Sequence, residues 1–127
     1  MQLYESGEMY LETILVLSKR ISVVRSIDIV REMNFSKPSV SNAMKNLREG
    51  GFIDVDKDGF ITLTAEGRAI AEKIYERHTV LSSVLERLGV DPKVAAEDAC
   101  KIEHDISDES FNAIKDHIAK MGSKKEA

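Results

Sequence analysis

With one cysteine, two prolines and seven glycines in 127 residues, the chain lacks the marks of several protein classes. A lone cysteine excludes an intramolecular disulfide framework and fits a reducing compartment. So little proline and glycine excludes a collagen-like or linker-dominated chain. Long apolar runs are also missing. The longest near the start, Ile14-Leu15-Val16-Leu17, is too short for a bilayer span or a signal-peptide core. Nor is there an excess of basic charge: the net charge is −4, so bulk charge does not hold this chain on nucleic acid. What is present, 43% hydrophobic and 31% charged residues, supports a buried core. The expectation is a helical, cytoplasmic protein with no membrane partner. A chain of this size buries only about two-thirds of its unfolded surface, so a dimer partner would add to its stability.

The charge is unevenly placed. Residues 19–60 carry eight Lys/Arg and six Asp/Glu, while the rest carries ten and sixteen. A neutral-to-basic segment flanked by acidic ones points to one part facing an anion and another facing a cation.

Periodicity orders the chain. Residues 4–19 read as an amphipathic helix with Met9, Leu11, Ile14, Leu15 and Leu17 toward one side. After the β-branched stretch Ile21–Val24, Ser26 caps a helix over 27–33 with Ile27, Val30 and Met33 at three-residue spacing. Asn34-Phe35-Ser36 turns the chain, and Ser36 caps a helix with Pro38 in its first turn. That helix directs Val40, Met44 and Leu47 inward and stops at Gly50-Gly51. Phe52–Val55 and Phe60–Leu63 flank an Asp-Gly turn and predict a β-hairpin. A long helix opens at Thr64-Ala65-Glu66 and closes at Gly89. Asp91-Pro92 starts a helix over 92–105, and Ser107-Asp108-Glu109 caps a last one to Met121, followed by a frayed tail.

Helix, short turn, helix and two-stranded hairpin is the order of a winged helix-turn-helix. Its second helix shows Ser39, Asn42, Lys45 and Asn46 outward, short polar groups suited to base edges or phosphates. Pro38 offers an apolar surface to a thymine methyl. Arg25 and Ser26 before it, and Lys57 at the hairpin tip, are placed for phosphates. With Ser36 and Ser41 of the turn-helix, these form the candidate DNA-binding set. The same order also occurs in protein-interaction modules.

The second half holds a different constellation. Cys100, Glu103 and His104 at i, i+3 and i+4 share one helix face. Thiolate, carboxylate and imidazole there are three good ligands for a first-row metal. Met9 and Glu12 on the first helix and His78 on the long one are further candidates. Taken alone, the cluster is equally a packed cysteine beside a solvated Glu–His pair, and Met9 equally core. His117 reads as exposed and inert.

Four segments in order carry a resemblance: Glu8-Met9-Tyr10-Leu11-Glu12-Thr13-Ile14, Ser36-Lys37-Pro38-Ser39-Val40-Ser41, Leu63-Thr64-Ala65-Glu66-Gly67 and Ala99-Cys100-Lys101-Ile102-Glu103-His104. With them the chain resembles the diphtheria-toxin-repressor and manganese-transport-regulator family of metal-dependent repressors from about Glu8 to Met121. In the iron-responsive branch the resemblance implies an activating site from Met9, Cys100, Glu103 and His104. An ancillary site there would use His78, but Ser82 and Ala96 stand where its other ligands belong. The manganese branch implies Glu12, His78, Glu103 and His104, from which Met9 and Cys100 depart. The chain is thus a hybrid, and it resembles the short form without the SH3-like domain.

The fold expected is mainly α: a winged helix-turn-helix DNA-binding domain over 1–64, a helical metal-binding and dimerisation domain over 65–121, and a flexible tail over 122–127. The function expected is a metal-activated, non-enzymatic repressor. As a homodimer it binds a near-palindromic double-stranded DNA operator when Fe(II), or alternatively Mn(II), sits between the first helix and the dimerisation helices. Its recognition helices would then meet major grooves about 34 Å apart. The genes controlled would concern metal uptake or homeostasis. The rival readings are a metal-independent winged-helix regulator and a protein-interaction module.

Overall fold

The computed structural model describes residues 5–126, with side chains through Lys120. Its elements are α1 (Glu5–Arg20), α2 (Ser26–Met33), α3 (Lys37–Glu49), β1 (Ile53–Val55), β2 (Ile61–Leu63), α4 (Ala65–Arg87), α5 (Pro92–Ile102) and α6 (Asp108–Glu126). Two compact units divide between Lys73 and Ile74, inside α4. Tyr4, the expected start of the first helix, and Ala127 lie outside the described residues.

The first unit is the winged helix-turn-helix. Leu11, Ile14 and Leu15 of α1, Ile29 of α2, Val40, Met44 and Leu47 of α3, and Ile53 and Ile61 of the hairpin form its core. Two details of α2 differ from the sequence reading. Arg25, not Ser26, is the N-cap, because the Asp28 carboxylate accepts the Arg25 backbone N–H at 2.9 Å and places Ser26 inside the first turn. The fully buried residue is Ile29, with Ile27, Val30 and Met33 only half-buried. Packed against both α1 and α3, the short helix buries Ile29 most deeply on its apolar face.

Capping of α3 follows the sequence closely. Ser36 Oγ accepts the Ser39 backbone N–H at 3.3 Å, and Pro38 occupies the first turn. Beyond α3, β1 and β2 pair antiparallel, Ile53 opposite Leu63 and Val55 opposite Ile61. Asp56 shapes the wing tip: its carboxylate accepts the backbone N–H groups of Asp58 and Phe60, both at 2.9 Å. Gly59 closes the loop at φ +82°, a left-handed conformation that disfavours side chains. Val24 adds a bridge to this sheet, its carbonyl accepting the Ile61 N–H at 2.7 Å.

The start of α4 lies directly on the hairpin entry. Thr64 donates its hydroxyl to the Gly51 carbonyl at 2.8 Å and accepts the Gly67 N–H at 3.1 Å. A Cβ on Gly67 would lie 1.9 Å from the Phe52 carbonyl oxygen, so only glycine admits this approach. Ala71, one turn on, is fully buried in the same core.

In the second unit Ile74, Leu81, Ala95, Ala99 and Phe111 are buried. Gly89, at φ +99°, follows the end of α4, and Asp91 caps α5 by accepting the Lys93 N–H at 3.1 Å. Here α5 ends at Ile102, short of the expected 105. The Asp105 N–H donates to the Ile102 carbonyl at 3.0 Å, an i→i+3 bond that tightens the last turn. Ser107 then caps α6 by accepting the Ser110 N–H at 3.1 Å. Helix α6 continues to Glu126, past the expected end at Met121. A lone glycine such as Gly122 costs about 1 kcal/mol in a helix and does not by itself end one.

Candidate metal centre and nucleic-acid interface

The end of α5 gathers the metal candidates of the second unit. Cys100 lies in the last turn of the helix, and Glu103 and His104 lie in the turn just after it. Glu103 keeps helical dihedrals and donates its N–H to the Ala99 carbonyl at 2.9 Å. The i, i+3, i+4 spacing therefore still works, although two of the three residues have left the helix proper. One ligand atom from each of Cys100, Glu103 and His104 falls within 4.8 Å of the others.

Glu103 is the centre of this group. Its side chain is 0% exposed, one carboxylate oxygen (Oε2) lies 2.8 Å from His78 Nδ1, and the other (Oε1) lies 3.4 Å from His104 Nε2. Oε1 makes no hydrogen bond. A buried carboxylate oxygen without one is costly unless a cation meets it. Together with a thiol and an imidazole at close range, the donor set therefore fits a divalent transition metal.

Sequence reasoning overlooked Arg77, which precedes His78 on α4. One guanidinium nitrogen donates to the carbonyls of Glu103 at 3.0 Å and Ile106 at 2.7 Å, and another pairs with the Asp108 carboxylate. The Phe111 ring centroid lies 5.5 Å from the guanidinium carbon. The available signal was positional: Arg77 falls at i+3 from Ile74 and i−4 from Leu81, within a buried stripe. His78, Ser82 and Ala96 line one open depression of about 590 Å³ with Glu86 and Arg87. His117 is exposed, as expected.

In the first unit, Met9 and Glu12 lie on α1, both half-buried. The α3 face shows Pro38, Ser39, Ser41, Asn42, Lys45 and Asn46 exposed, while Val40, Met44 and Leu47 point inward. Ser36 and Ser39 bond to each other through their hydroxyls at 2.8 Å, so both serve the cap. Lys57 is exposed at the wing tip, and Ser26 is half-buried. Arg25 lies with its guanidinium 4.6 Å from the Phe60 ring centroid, a cation–π contact that holds it beside the wing.

Residues 2–60 match the family model of the iron dependent repressor N-terminal DNA binding domain. Residues 64–124 match that of the iron dependent repressor metal binding and dimerisation domain. The chain is 33% identical over 115 residues to the transcriptional regulator MntR of Escherichia coli, covering 91% of this chain and 74% of MntR. It is 32% identical over 108 residues to the diphtheria toxin repressor of Corynebacterium efficiens, covering 84% of this chain and 47% of that protein. The solved structure of the manganese regulator SloR matches with a TM-score of 0.79 at 26% identity, covering 94% of this chain and 55% of SloR. The chain thus spans about half the length of the last two relatives. No described helix is long and apolar enough to cross a membrane.

Proposed function

The chain belongs to the iron-dependent repressor family of metal-dependent transcriptional regulators, and from that premise we propose that it represses metal uptake or homeostasis genes as an Fe(II)-responsive homodimer. The observation that carries this reading is the convergence of Cys100, Glu103 and His104 around a buried carboxylate oxygen with no hydrogen bond. Met9, Glu12 and His78 are the residues we assign to complete the ligand set, on the family motifs they match. A bound divalent ion would supply positive charge to this donor set.

The chain's own residues divide the remaining tasks. Glu103 orients His78 through the 2.8 Å contact and offers its other oxygen as ligand. Neutral imidazole and thiolate are the binding forms, so proton loss from the thiol accompanies binding. Metal affects DNA affinity only through preference for the DNA-competent conformation, which makes the two ligands reciprocally coupled. A near-palindromic operator follows from a two-fold dimer carrying one recognition helix per subunit.

Titration of chelator-treated protein with Fe(II), Mn(II), Co(II), Ni(II) and Zn(II) under anaerobic conditions, followed by operator binding, tests this reading. Fe(II) is expected to raise operator affinity at the lowest free concentration. Binding that is equally tight without any metal contradicts the proposal.

The assignment of α3 as the reading helix leads to a second expected result. Asn42→Ala or Pro38→Ala weakens operator binding by about 10-fold or more and leaves binding to random DNA nearly intact. Lys57→Ala and Arg25→Ala weaken both and flatten the salt dependence, because phosphate contacts carry no base information. Fluorescence anisotropy on both DNAs across a salt series checks this. Equal losses on the two DNAs for all four variants would mean that α3 does not read bases.

A further inference from the structure

We propose that Arg77 is a positioning residue for the metal donors, holding the backbone of the 103–106 turn so that Glu103 and His104 converge with Cys100. The proposal rests on the metal-centre reading above.

The geometry is specific to an arginine. One guanidinium nitrogen donates to two carbonyl oxygens, those of Glu103 and Ile106, and a second meets Asp108 at the start of α6. The carbonyls following a helix end lack intrahelical donors, and the cation complements the negative end of the α5 dipole. A planar fork spans three acceptors at once, whereas an ammonium presents a single point. Arg77 therefore fastens the C-terminal end of α5 to the N-terminal end of α6, and the chain clamped between them carries Glu103 and His104.

Burial strengthens the case. The Arg77 side chain is only 6% exposed, at a helix position flanked by Ile74 and Leu81. A leucine there would fill the stripe without the desolvation cost of a guanidinium. Helix–helix packing alone does not call for the charge, whereas a turn of fixed shape does. Arg77 and His78 are neighbours on α4, so the same helix fixes Glu103 at two points. Arg77 holds its carbonyl, and His78 meets its carboxylate at 2.8 Å.

Co(II) binding separates positioning from folding, because the ion reports its ligands spectroscopically. Full-length wild type, Arg77→Lys and Asp108→Asn are stripped of metal and titrated with Co(II), and their metal-free melting temperatures are recorded. Wild type is expected to bind with a thiolate charge-transfer band from Cys100. Arg77→Lys should bind about 10- to 100-fold more weakly, the range for loss of a group that orients ligands, with an altered d–d spectrum. Asp108→Asn keeps both carbonyl bonds and should lose roughly 3- to 10-fold, below that range; it carries the test if Arg77→Lys does not fold. Wild-type affinity and spectrum in either folded variant overturn the proposal, even with a lowered melting temperature, since Arg77 would then serve the fold alone. Absence of Co(II) binding by the wild type removes the metal centre itself, and the role of Arg77 with it.

Discussion

His104→Ala is expected to yield a folded, dimeric protein whose operator affinity no longer rises when metal is added. The His104 side chain is 1% exposed and lies against Glu103, so its loss takes one of three convergent donors from the centre. Losing a ligand should weaken binding at least as much as losing a group that orients one, about 100-fold or more. The fold does not depend on this residue in the same way. The buried apolar residues of the second unit, Ile74, Leu81, Ala95, Ala99 and Phe111, are unchanged. So are the caps at Asp91 and Ser107. Circular dichroism and light scattering measure fold and assembly, and metal titration on operator DNA measures the response. An unfolded or monomeric variant would make the centre a structural one.

The second large effect concerns the choice of ion. Cys100 and Met9 offer sulfur, which favours Fe(II), Co(II), Ni(II) or Zn(II), whereas Mn(II) prefers carboxylate oxygen and binds most weakly in the divalent series. In the ligand set proposed above, Met9→Asp combined with Cys100→Glu would exchange both sulfurs for carboxylates, alongside Glu12, His78, Glu103 and His104. The half-activating Mn(II) concentration, relative to that for Fe(II), should then fall by about 10-fold or more. Wild-type protein should in turn lose metal affinity at acid pH, because a thiol becomes a ligand only by giving up its proton. Oxidation of Cys100 should blunt the response as well. The measurement is operator binding under anaerobic conditions, with each ion buffered. Activation of the wild type by Mn(II) at concentrations as low as for Fe(II) would remove the argument from sulfur.

Helix α3 was legible from its own residues because everything that defines it is local. Ser36 caps it, Pro38 sits in its first turn, Val40, Met44 and Leu47 share a face, and Gly50-Gly51 stops it. The hairpin was legible for the same reason, with Asp56 and Gly59 shaping its turn. The end of α5 was not. It depends on an i→i+3 bond at Ile102 and on Arg77, which lies 26 residues before the Glu103 carbonyl it holds. Spacing alone also brought Cys100, Glu103 and His104 together, whereas His78 stood as a separate candidate. Its contact with Glu103 spans 25 residues and exists only once α4 and α5 have packed. Arg77 was overlooked because arginine normally counts as a surface residue, and here the stripe position outweighs the residue type.

Helix α4 limits how the chain can be recombined with its relatives. The two family models abut near residues 60 and 64, which makes that point a tempting splice site. A chimera joined there would take the wing without the helix turns that close over it. Gly67 is the residue whose missing side chain admits the Phe52 carbonyl, and Ala71 is part of the same apolar core. A foreign helix would have to supply both small residues in register, or the hairpin would lose its floor. A junction after Lys73, where the compact units divide, keeps the wing with its own support and leaves Arg77 and His78 with the residues they contact.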